Sequence, residues 1–256
     1  MQVSGTTAIV TGGASGLGGA TAQALAAQGA VVFGLDLKSA IDRVGPTGEI
    51  TDRITYLPTD VTDPEQVEAA VATAKGSSAP LRIVVNCAGI GTAGRVLSKG
   101  IPHDLDVFRK VVEVNLIGTF NVMRLAAASI AETEELDNGQ RGVVINTASI
   151  AAFDGQIGQA AYAASKGGVV GLNLPAARDL ASAGIRVMTI APGIIDTPML
   201  AGVSDEFRAS LASEVPFPKR LGDPAEYAKL ALSIIDHDYL NGEVIRMDGA
   251  LRMAPR

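Results

Sequence analysis

The sequence is poor in the residues that form disulfide frameworks and metal centres. Its single cysteine, Cys87, cannot form an internal disulfide, which is typical of proteins from a reducing compartment. Its two histidines, His103 and His237, lie far apart and lack the spacing of a zinc site. We therefore expect neither a disulfide bond nor a bound metal.

Positive charge and membrane-length apolar runs are also scarce. The net charge is -6, which leaves no broad basic surface for a nucleic-acid backbone. No run of about 18 apolar residues occurs without a break, so no membrane span is expected. A strand pattern begins directly after the N-terminal MQVSGT and leaves no room for a targeting peptide, so we expect a cytoplasmic protein.

Apolar residues, in contrast, are abundant and regularly arranged. They make up 47% of the 256 residues, against 19% charged residues, which is enough for a large buried core. Continuous apolar runs of strand length alternate with longer helical patterns, as in parallel sheets that helices cover on both faces. The sequence predicts an α/β fold, a single Rossmann-like domain over 1–256 with a doubly wound parallel sheet. The predicted strands are 7–11, 30–36, 54–58, 81–86, 142–148, 185–191 and 243–247.

Helical patterns connect these strands. Asp63 and Pro64 form a start signal for one helix, and Pro224 opens another. Pro175 lies inside a third pattern, where a proline removes one backbone hydrogen bond and crowds the carbonyl of Gly171, so we expect a kink or local break there. The predicted helices cover 16–28, 64–75, 104–130, 159–183 and a stretch from 224.

The turn after the first predicted strand is rich in glycine. Gly12, Gly16 and Gly18 form a T-G-x-x-x-G-x-G pattern at 11–18, just before a predicted helix. Glycines allow a tight turn and a close backbone approach, and a helix N-terminus offers unpaired N–H groups to a pyrophosphate. The pattern favours a dinucleotide site; a turn that serves packing alone is the alternative.

Asp36 ends the second predicted strand. It stands close to the offset of about 20 residues at which an acidic side chain binds the adenosine ribose of a dinucleotide. A carboxylate there would repel a 2′-phosphate, and Ser15 and Leu37 offer no positive charge to that phosphate. Lys38 is the one nearby cation. The sequence therefore predicts NAD rather than NADP as the cofactor.

Other polar and small residues follow the third and fourth predicted strands. Asp60 and Val61 come after the third strand, and Cys87, Ala88 and Gly89 come after the fourth. Ligands of open parallel sheets collect at the carboxyl ends of the strands. We therefore expect the first pair at the adenine and the second group against the cofactor, with helix caps and turns as the structural alternatives.

Ser149, Tyr162 and Lys166 carry the predicted chemistry. Tyr162 and Lys166 stand four residues apart on a predicted helix and share one face. An ammonium and an oxidised nicotinamide would lower the phenol pKa from about 10, so that Tyr162 exchanges a proton with an alcohol that Ser149 holds. Asn115 could hold a water that links Lys166 to solvent. A tyrosine packed on a lysine stem and a structural amide are the alternatives.

In order and spacing, these residues resemble those of the short-chain dehydrogenase/reductase family. The resemblance covers nearly the whole chain and rests on the pattern at 11–18, Asp36, NCAG at 86–89, Asn115, Ser149, Y-x-x-x-K at 162–166 and PGIIDTP at 192–198. It implies a nicotinamide cofactor, catalysis by serine, tyrosine and lysine assisted by asparagine, and a dimer or tetramer; we expect a homotetramer.

Four segments of the second half are similar to the type-2 3-hydroxyacyl-CoA dehydrogenases within that family: 139–180, 185–193, 215–230 and 241–253. That group oxidises L-3-hydroxyacyl-CoA to 3-ketoacyl-CoA with NAD in fatty acid metabolism, and some members accept hydroxysteroids. By position, the resemblance implies substrate contacts from Ser149, Tyr162 and Gln156. It implies cofactor contacts from Ser15, Leu17, Asp36, Asp60, Val61, Cys87, Tyr162, Lys166, Ile195 and Thr197.

Some residues depart from the family pattern, and other functions stay open. Cys87 replaces the usual asparagine, although the similar group shares the cysteine; we interpret it as a small packed residue. Ile195 replaces an aromatic residue and Asp196 a glycine in the segment 194–220, which the resemblance makes the substrate-covering loop. A hydroxysteroid or other secondary-alcohol dehydrogenase is the alternative enzyme, and an NADPH-dependent ketoacyl reductase fits Asp36 less well. A non-catalytic NAD-binding protein is the alternative of another class.

Overall fold

Seven parallel strands form one sheet in a computed structural model of the chain, which describes residues 1–44, 53–200 and 202–255. The strand order is β3-β2-β1-β4-β7-β8-β9, and a separate two-stranded hairpin pairs β5 with β6. The strands are β1 Thr7–Thr11, β2 Val31–Asp36, β3 Ile54–Pro58, β4 Leu81–Asn86, β5 Leu97–Ser98, β6 Ile101–Pro102, β7 Gly142–Thr147, β8 Ile185–Pro192 and β9 Val244–Met247. The predicted α/β fold is confirmed.

Helices cover both faces of the sheet. The helices are α1 Gly16–Ala27, α2 Lys38–Ile41, α3 Pro64–Lys75, α4 Leu105–Val112, α5 Thr119–Ala131, α6 Ala160–Asp179, α7 Asp205–Glu214 and α8 Pro224–Asp236. Buried residues of α1 and α8 pack on one face, and those of α3, α5 and α6 pack on the other. The central strands are mostly apolar because both of their faces are covered: every residue of β1, β4, β7 and β8 is buried, including polar residues such as Arg82 and Arg186.

Helix starts follow the sequence signals closely. Asp63 accepts hydrogen bonds from the backbone N–H groups of Glu65 and Gln66, and Pro64 takes the first helical position of α3. Asp223 and Glu226 form a reciprocal capping box at the start of α8. These caps fix where each helix leaves the carboxyl edge of the sheet.

The expected break at Pro175 does not occur. Helix α6 runs without interruption through this residue to Asp179, where a short 3-10 turn, Ala181–Ala183, follows. Asn173, Ala176 and Ala177 around the proline are buried, so packing holds the helix although one backbone hydrogen bond is missing. The expected local break is therefore excluded, and a kink at Pro175 stays a prediction.

The stretch from 105 to 131 is one long helical run. A π-helical turn, Glu113–Gly118, joins α4 to α5 within it. By length and composition the run is apolar enough to cross a membrane, but 56% of its most apolar 18-residue stretch is buried inside the protein. Packing against the sheet therefore accounts for its apolar character.

Candidate active site

A cleft of about 420 Å³ lies at the carboxyl ends of the strands. Its walls come from the turns that follow β1, β2, β3, β4, β7 and β8, together with α6. Sixteen of the sequence-predicted site residues line it: Gly12, Ser15, Gly16, Leu17, Gly18, Asp36, Asp60, Val61, Cys87, Ala88, Gly89, Ser149, Tyr162, Lys166, Ile195 and Thr197.

The glycine turn leaves space that side chains would fill. Gly12 has a φ of +63°, which favours glycine, and a Cβ there would lie 3.0 Å from the backbone nitrogen of Ala88. A Cβ on Gly18 would lie only 2.2 Å from the carbonyl oxygen of Gly12. Ser15 precedes α1 without a side-chain capping bond, so the first N–H groups of the helix are available to a ligand. This cradle fits a pyrophosphate.

Asp36 is held at the edge of the same cleft. One carboxylate oxygen accepts the N–H of Leu37 at 2.8 Å and the other accepts the N–H of Ala14 at 3.1 Å. These bonds orient the carboxylate beside the glycine turn, where it can accept hydrogen bonds from ribose hydroxyls. Lys38 pairs with Asp42 at 2.8 Å, an exposed ion pair that engages this cation away from Asp36.

Asp60 and Val61 also line the cleft, with local structural roles. Asp60 accepts hydrogen bonds from the backbone N–H and the hydroxyl of Thr62, at 2.9 and 2.7 Å. Burial raises the pKa of this carboxyl, but the bonds from Thr62 and the charge of Lys110 outweigh it and lower the pKa. The carbonyl of Val61 accepts from the Asn121 amide at 3.0 Å. Both residues therefore shape this side of the cleft through a fixed turn, and their contact with adenine stays a prediction.

Ser149, Tyr162 and Lys166 meet at the opposite end. Ser149 caps a short 3-10 turn after β7, and its hydroxyl accepts the N–H of Ala151 at 3.1 Å. The Lys166 ammonium lies 5.8 Å from the centre of the Tyr162 ring. It donates to the carbonyl of Thr147, the last residue of β7, at 2.8 Å. One helical turn of α6 thus places a phenol and an amine beside the serine.

Burial governs the ionisation of both α6 groups. It raises the pKa of the Tyr162 phenol above its usual 10, and the interaction with Ser149 lowers it only in part. It lowers the pKa of Lys166 from 10.5 to about 8, with Cys87 opposing the change. The lower phenol pKa expected from Lys166 is therefore not found in the protein alone, because burial outweighs the hydrogen bond with Ser149.

Asn115 lies behind the wall of the cleft. It is fully buried in the π-helical turn, and its side chain donates to the Ile90 carbonyl at 2.9 Å and the Ser165 hydroxyl at 3.0 Å. Its amide oxygen accepts the N–H of Ile90 at 2.8 Å. A Cβ on Gly89 would lie 3.2 Å from this oxygen and 3.5 Å from the Lys166 nitrogen. The Asn115 side chain thus fixes the backbone beside Lys166.

Gln156 is the predicted substrate residue that the structure does not place in the cleft. Its side chain donates to the carbonyl of Ala254 at 3.0 Å and accepts from Gln159 at 3.2 Å. It lines a separate depression beside the β5–β6 hairpin. The side chain is therefore bound to the C-terminal segment, which the sequence alone does not reveal, and its contact with substrate stays a prediction.

The predicted substrate-covering loop, 194–220, is described except at position 201. Two hydrogen bonds join its beginning to Gly222, two residues past its end: the N–H of Asp196 donates to the carbonyl of Gly222, and the N–H of Gly222 donates to the carbonyl of Ile194, both at 2.9 Å. Arg208 of α7 pairs with Asp196 at 2.6 Å. The start of the loop, where Ile194 and Ile195 line the cleft, is therefore held in place by hydrogen bonds to Gly222.

Several residues that line the cleft were not predicted as site residues from the sequence. Thr147 and Lys110 line the cleft without belonging to a short motif, whereas Ile194 and Leu200 lie in the predicted loop 194–220 but were not singled out within it. Thr147 could have been found from its position at the end of a predicted strand, next to Ser149. Lys110 comes from a helix whose orientation only the packed structure defines.

Comparisons with known proteins agree with this geometry. A family model described as "short chain dehydrogenase" matches residues 6–207. "3-Hydroxyacyl-CoA dehydrogenase type-2" of Bos taurus is 54% identical over 256 residues, covering 99% of this chain and 98% of the relative. The protein of that name from Drosophila melanogaster is 53% identical, with 96% and 97% covered. A crystal structure of 3-hydroxyacyl-CoA dehydrogenase type-2 from Mycobacterium avium superposes with a TM-score of 0.90 at 47% identity, with 98% of each chain covered.

Proposed function

The chain belongs to the short-chain dehydrogenase family and is an oxidoreductase, and we propose that it oxidises L-3-hydroxyacyl-CoA to 3-ketoacyl-CoA with NAD. The observation that carries this proposal is the single cleft that joins the glycine turn and Asp36 to Ser149, Tyr162 and Lys166. The names of the relatives that are more than half identical support the substrate class.

Asp36 supports NAD over NADP. Its carboxylate is fixed by two backbone N–H groups at the edge of the cleft, and a 2′-phosphate would be repelled there. The nearby Lys38 is engaged with Asp42. The Gly12–Gly18 cradle and the first turn of α1 would hold the pyrophosphate.

The side chains at the other end would divide the work of alcohol oxidation. The bound nicotinamide supplies the hydride acceptor. Ser149 holds the substrate oxygen, and Tyr162 accepts the hydroxyl proton as general base and returns it as general acid in the reverse direction. Lys166 keeps a positive charge beside the phenolate that forms, which stabilises it in a buried setting.

The alternatives differ in substrate and in chemistry. Apolar residues such as Ile194, Ile195 and Leu200 line the cleft and suit an acyl chain, but they also suit a steroid or another secondary alcohol. A non-catalytic NAD-binding protein would have no need for Ser149, Tyr162 and Lys166 together. We therefore propose an acyl-CoA as the substrate ahead of a steroid or another secondary alcohol.

We further propose a cytoplasmic homotetramer. Exposed apolar side chains support association: Ile117 and Phe120 lie on the 105–131 helical run, and Leu174 lies on α6. Sedimentation of the purified protein tests the tetramer, and a monomer at micromolar concentration would contradict it. Fractionation of the source cells tests the compartment.

The activity is tested by NADH formation from L-3-hydroxyacyl-CoAs of increasing chain length, with hydroxysteroids and NADP as comparisons. We expect turnover with NAD and acyl-CoA, and a loss of about 10³-fold in Tyr162→Phe, within the range for general acid–base groups. Tyr239→Phe is the matched control because Tyr239 is 96% exposed. Unchanged turnover in Tyr162→Phe would refute the mechanism, and turnover of steroids alone would refute the substrate.

A further inference from the structure

Tyr227 places a phenol inside the apolar core of the protein. It belongs to the first turn of α8, has no exposed surface and is among the largest fully buried side chains. It packs among buried residues of α1 and the central strands. A buried hydroxyl is costly unless it forms hydrogen bonds, so a phenylalanine would serve packing alone at least as well.

The hydroxyl of Tyr227 is part of a closed ring of three groups. It lies 2.7 Å from the hydroxyl of Thr147 and 3.6 Å from the sulfur of Cys87. The Thr147 hydroxyl lies 3.6 Å from the same sulfur. Each group has one hydrogen to donate and can accept another, so all three are satisfied around the ring. Burial raises the pKa of Tyr227 and of Cys87, which keeps both hydrogens in place.

Thr147 connects this ring to the amine of the active site. Its side chain meets Tyr227, which reaches it from the face of the sheet that α1 and α8 cover. Its carbonyl accepts the Lys166 ammonium, which comes from α6 on the other face, at 2.8 Å. The end of β7 is therefore held from both sides, two residues before Ser149.

We propose that Tyr227 is a positioning residue that fixes Thr147, and through the Thr147 carbonyl sets the place of the Lys166 ammonium. The proposal rests on the proposed function, in which Lys166 stabilises the Tyr162 phenolate. Tyr162 on the same helix and Cys87 after β4 are the titratable side chains that face Lys166 in the described part of the chain. A displacement of the Lys166 ammonium would therefore change its electrostatic interaction with both side chains.

Four variants test the proposal. Tyr227→Phe and Thr147→Val each remove one side of the 2.7 Å bond, and we expect each to lower kcat by about tenfold, the rate equivalent of one hydrogen bond. The double variant should lose no more than the larger single loss, because both changes remove the same contact. Thr147→Ser keeps the hydroxyl and should recover most of the turnover lost in Thr147→Val.

Thr189→Val is the matched structural control. The Thr189 hydroxyl is a buried threonine hydroxyl on the neighbouring strand β8, and it donates to Asn173 of α6 at 2.9 Å, away from the Lys166 amine. We expect this variant to lower Tm about as much as Thr147→Val while keeping the wild-type kcat and pH profile. Equal loss of kcat in both variants would show a general effect of weakened packing and would overturn the proposal.

A second measurement is independent of turnover. NMR titration of lysine Cε resonances in the protein without cofactor gives the pKa of Lys166 directly. Loss of a fixed carbonyl acceptor disfavours the ammonium, so Tyr227→Phe and Thr147→Val should both lower the pKa of Lys166. A weaker positive charge beside Tyr162 raises the pKa of its phenol, so the acid limb of the kcat/KM profile should move to higher pH in both variants. A wild-type pKa and an unshifted limb in both variants would refute the positioning role.

The two proposals fail in different ways. If the wild-type protein oxidises no 3-hydroxyacyl-CoA but the Lys166 pKa moves in both variants, the substrate assignment is wrong and the role of Tyr227 stands. If the wild-type protein is active and neither kcat nor the Lys166 pKa responds to Tyr227→Phe, the proposed function stands and the role of Tyr227 is refuted.

Discussion

The two ends of the cleft are built by opposite means. At the glycine turn the chain leaves room, because Gly12 and Gly18 keep Cβ atoms away from the backbone that a pyrophosphate would approach. At the other end the chain buries groups that prefer water, and Lys166, 4% exposed, is the clearest case. The first end depends on local geometry, while the second depends on burial and imposes a cost on the folded state.

The largest test of this contrast replaces the buried amine. We expect Lys166→Met to lower kcat by about 10³-fold, because the phenolate of Tyr162 loses its positive neighbour. The same variant should be more stable than wild type at pH 7 by on the order of 2 kcal/mol, since methionine has the length of the stem and no charge to bury. Chemical denaturation measures the second effect.

The pH dependence of that stability difference has a defined sign. The pKa of Lys166 is about 8 in the folded protein and 10.5 in an ordinary setting, so the unfolded chain binds more protons between these values. The free energy of unfolding of the wild type therefore rises as pH increases from about 8 to 10.5, and the stability advantage of Lys166→Met becomes smaller over this range. A difference that stays constant over this window would contradict the cost of burying the amine.

At the glycine end, two adjacent glycines give a matched pair. A Cβ on Gly18 would lie 2.2 Å from a backbone oxygen, whereas the nearest atom to a Cβ on Gly19 is 3.5 Å away. We expect Gly18→Ala to cost about 2–3 kcal/mol of stability and to weaken NAD binding at least tenfold. Gly19→Ala should be neutral or slightly stabilising because alanine favours the helix. Calorimetry of binding and unfolding compares them, and equal effects would refute the steric explanation.

Asp36 gives a smaller effect that is confined to the cofactor. Asp36→Asn removes the charge but keeps an oxygen that can accept from Ala14 or Leu37. We expect KM for NAD to rise about tenfold and the preference over NADP to narrow, with little change in kcat. Initial rates with both cofactors measure this. An unchanged preference for NAD over NADP would mean that residues other than Asp36 distinguish the two cofactors.

Gln156 gives the smallest expected effect. Its side chain is engaged with Ala254 and Gln159 outside the cleft. We therefore expect Gln156→Ala to change kcat/KM by less than about twofold, within the usual range for a surface contact. A larger loss for acyl-CoA substrates would mean that the side chain turns into the cleft when substrate binds.

The sequence predicted the elements well because both faces of the sheet are covered. Buried parallel strands read as unbroken apolar runs, and residues after each strand collect at one edge, so Asp36, Ser149 and the glycine turn could be placed together. The hairpin of β5 and β6 and the exposed helix α7 escaped prediction because they are short or lack a buried face.

The partners of the site residues were harder to predict than the residues themselves. Tyr227 lies 80 residues from Thr147 in sequence, and no spacing rule joins them. The one available signal was a tyrosine at helical spacing from Ala231 and Ile234, on the apolar face of the helix. The pKa of Tyr162 was also out of reach, because the sequence shows the neighbouring charge of Lys166 but not how deeply the phenol is buried.

The bonds between Gly222 and the chain at Ile194 and Asp196 tie the start of the predicted substrate-covering loop to a point two residues past its end. Because the cost of closing a loop grows slowly with its length and α7 has no buried residue, Asp205–Glu214 can be exchanged with little effect on the sheet, whereas Val215 packs with Ile150 and Leu251. The α7 part of this segment is thus open to replacement. An engineer seeking a different alcohol can vary it while leaving the proton-transfer residues untouched.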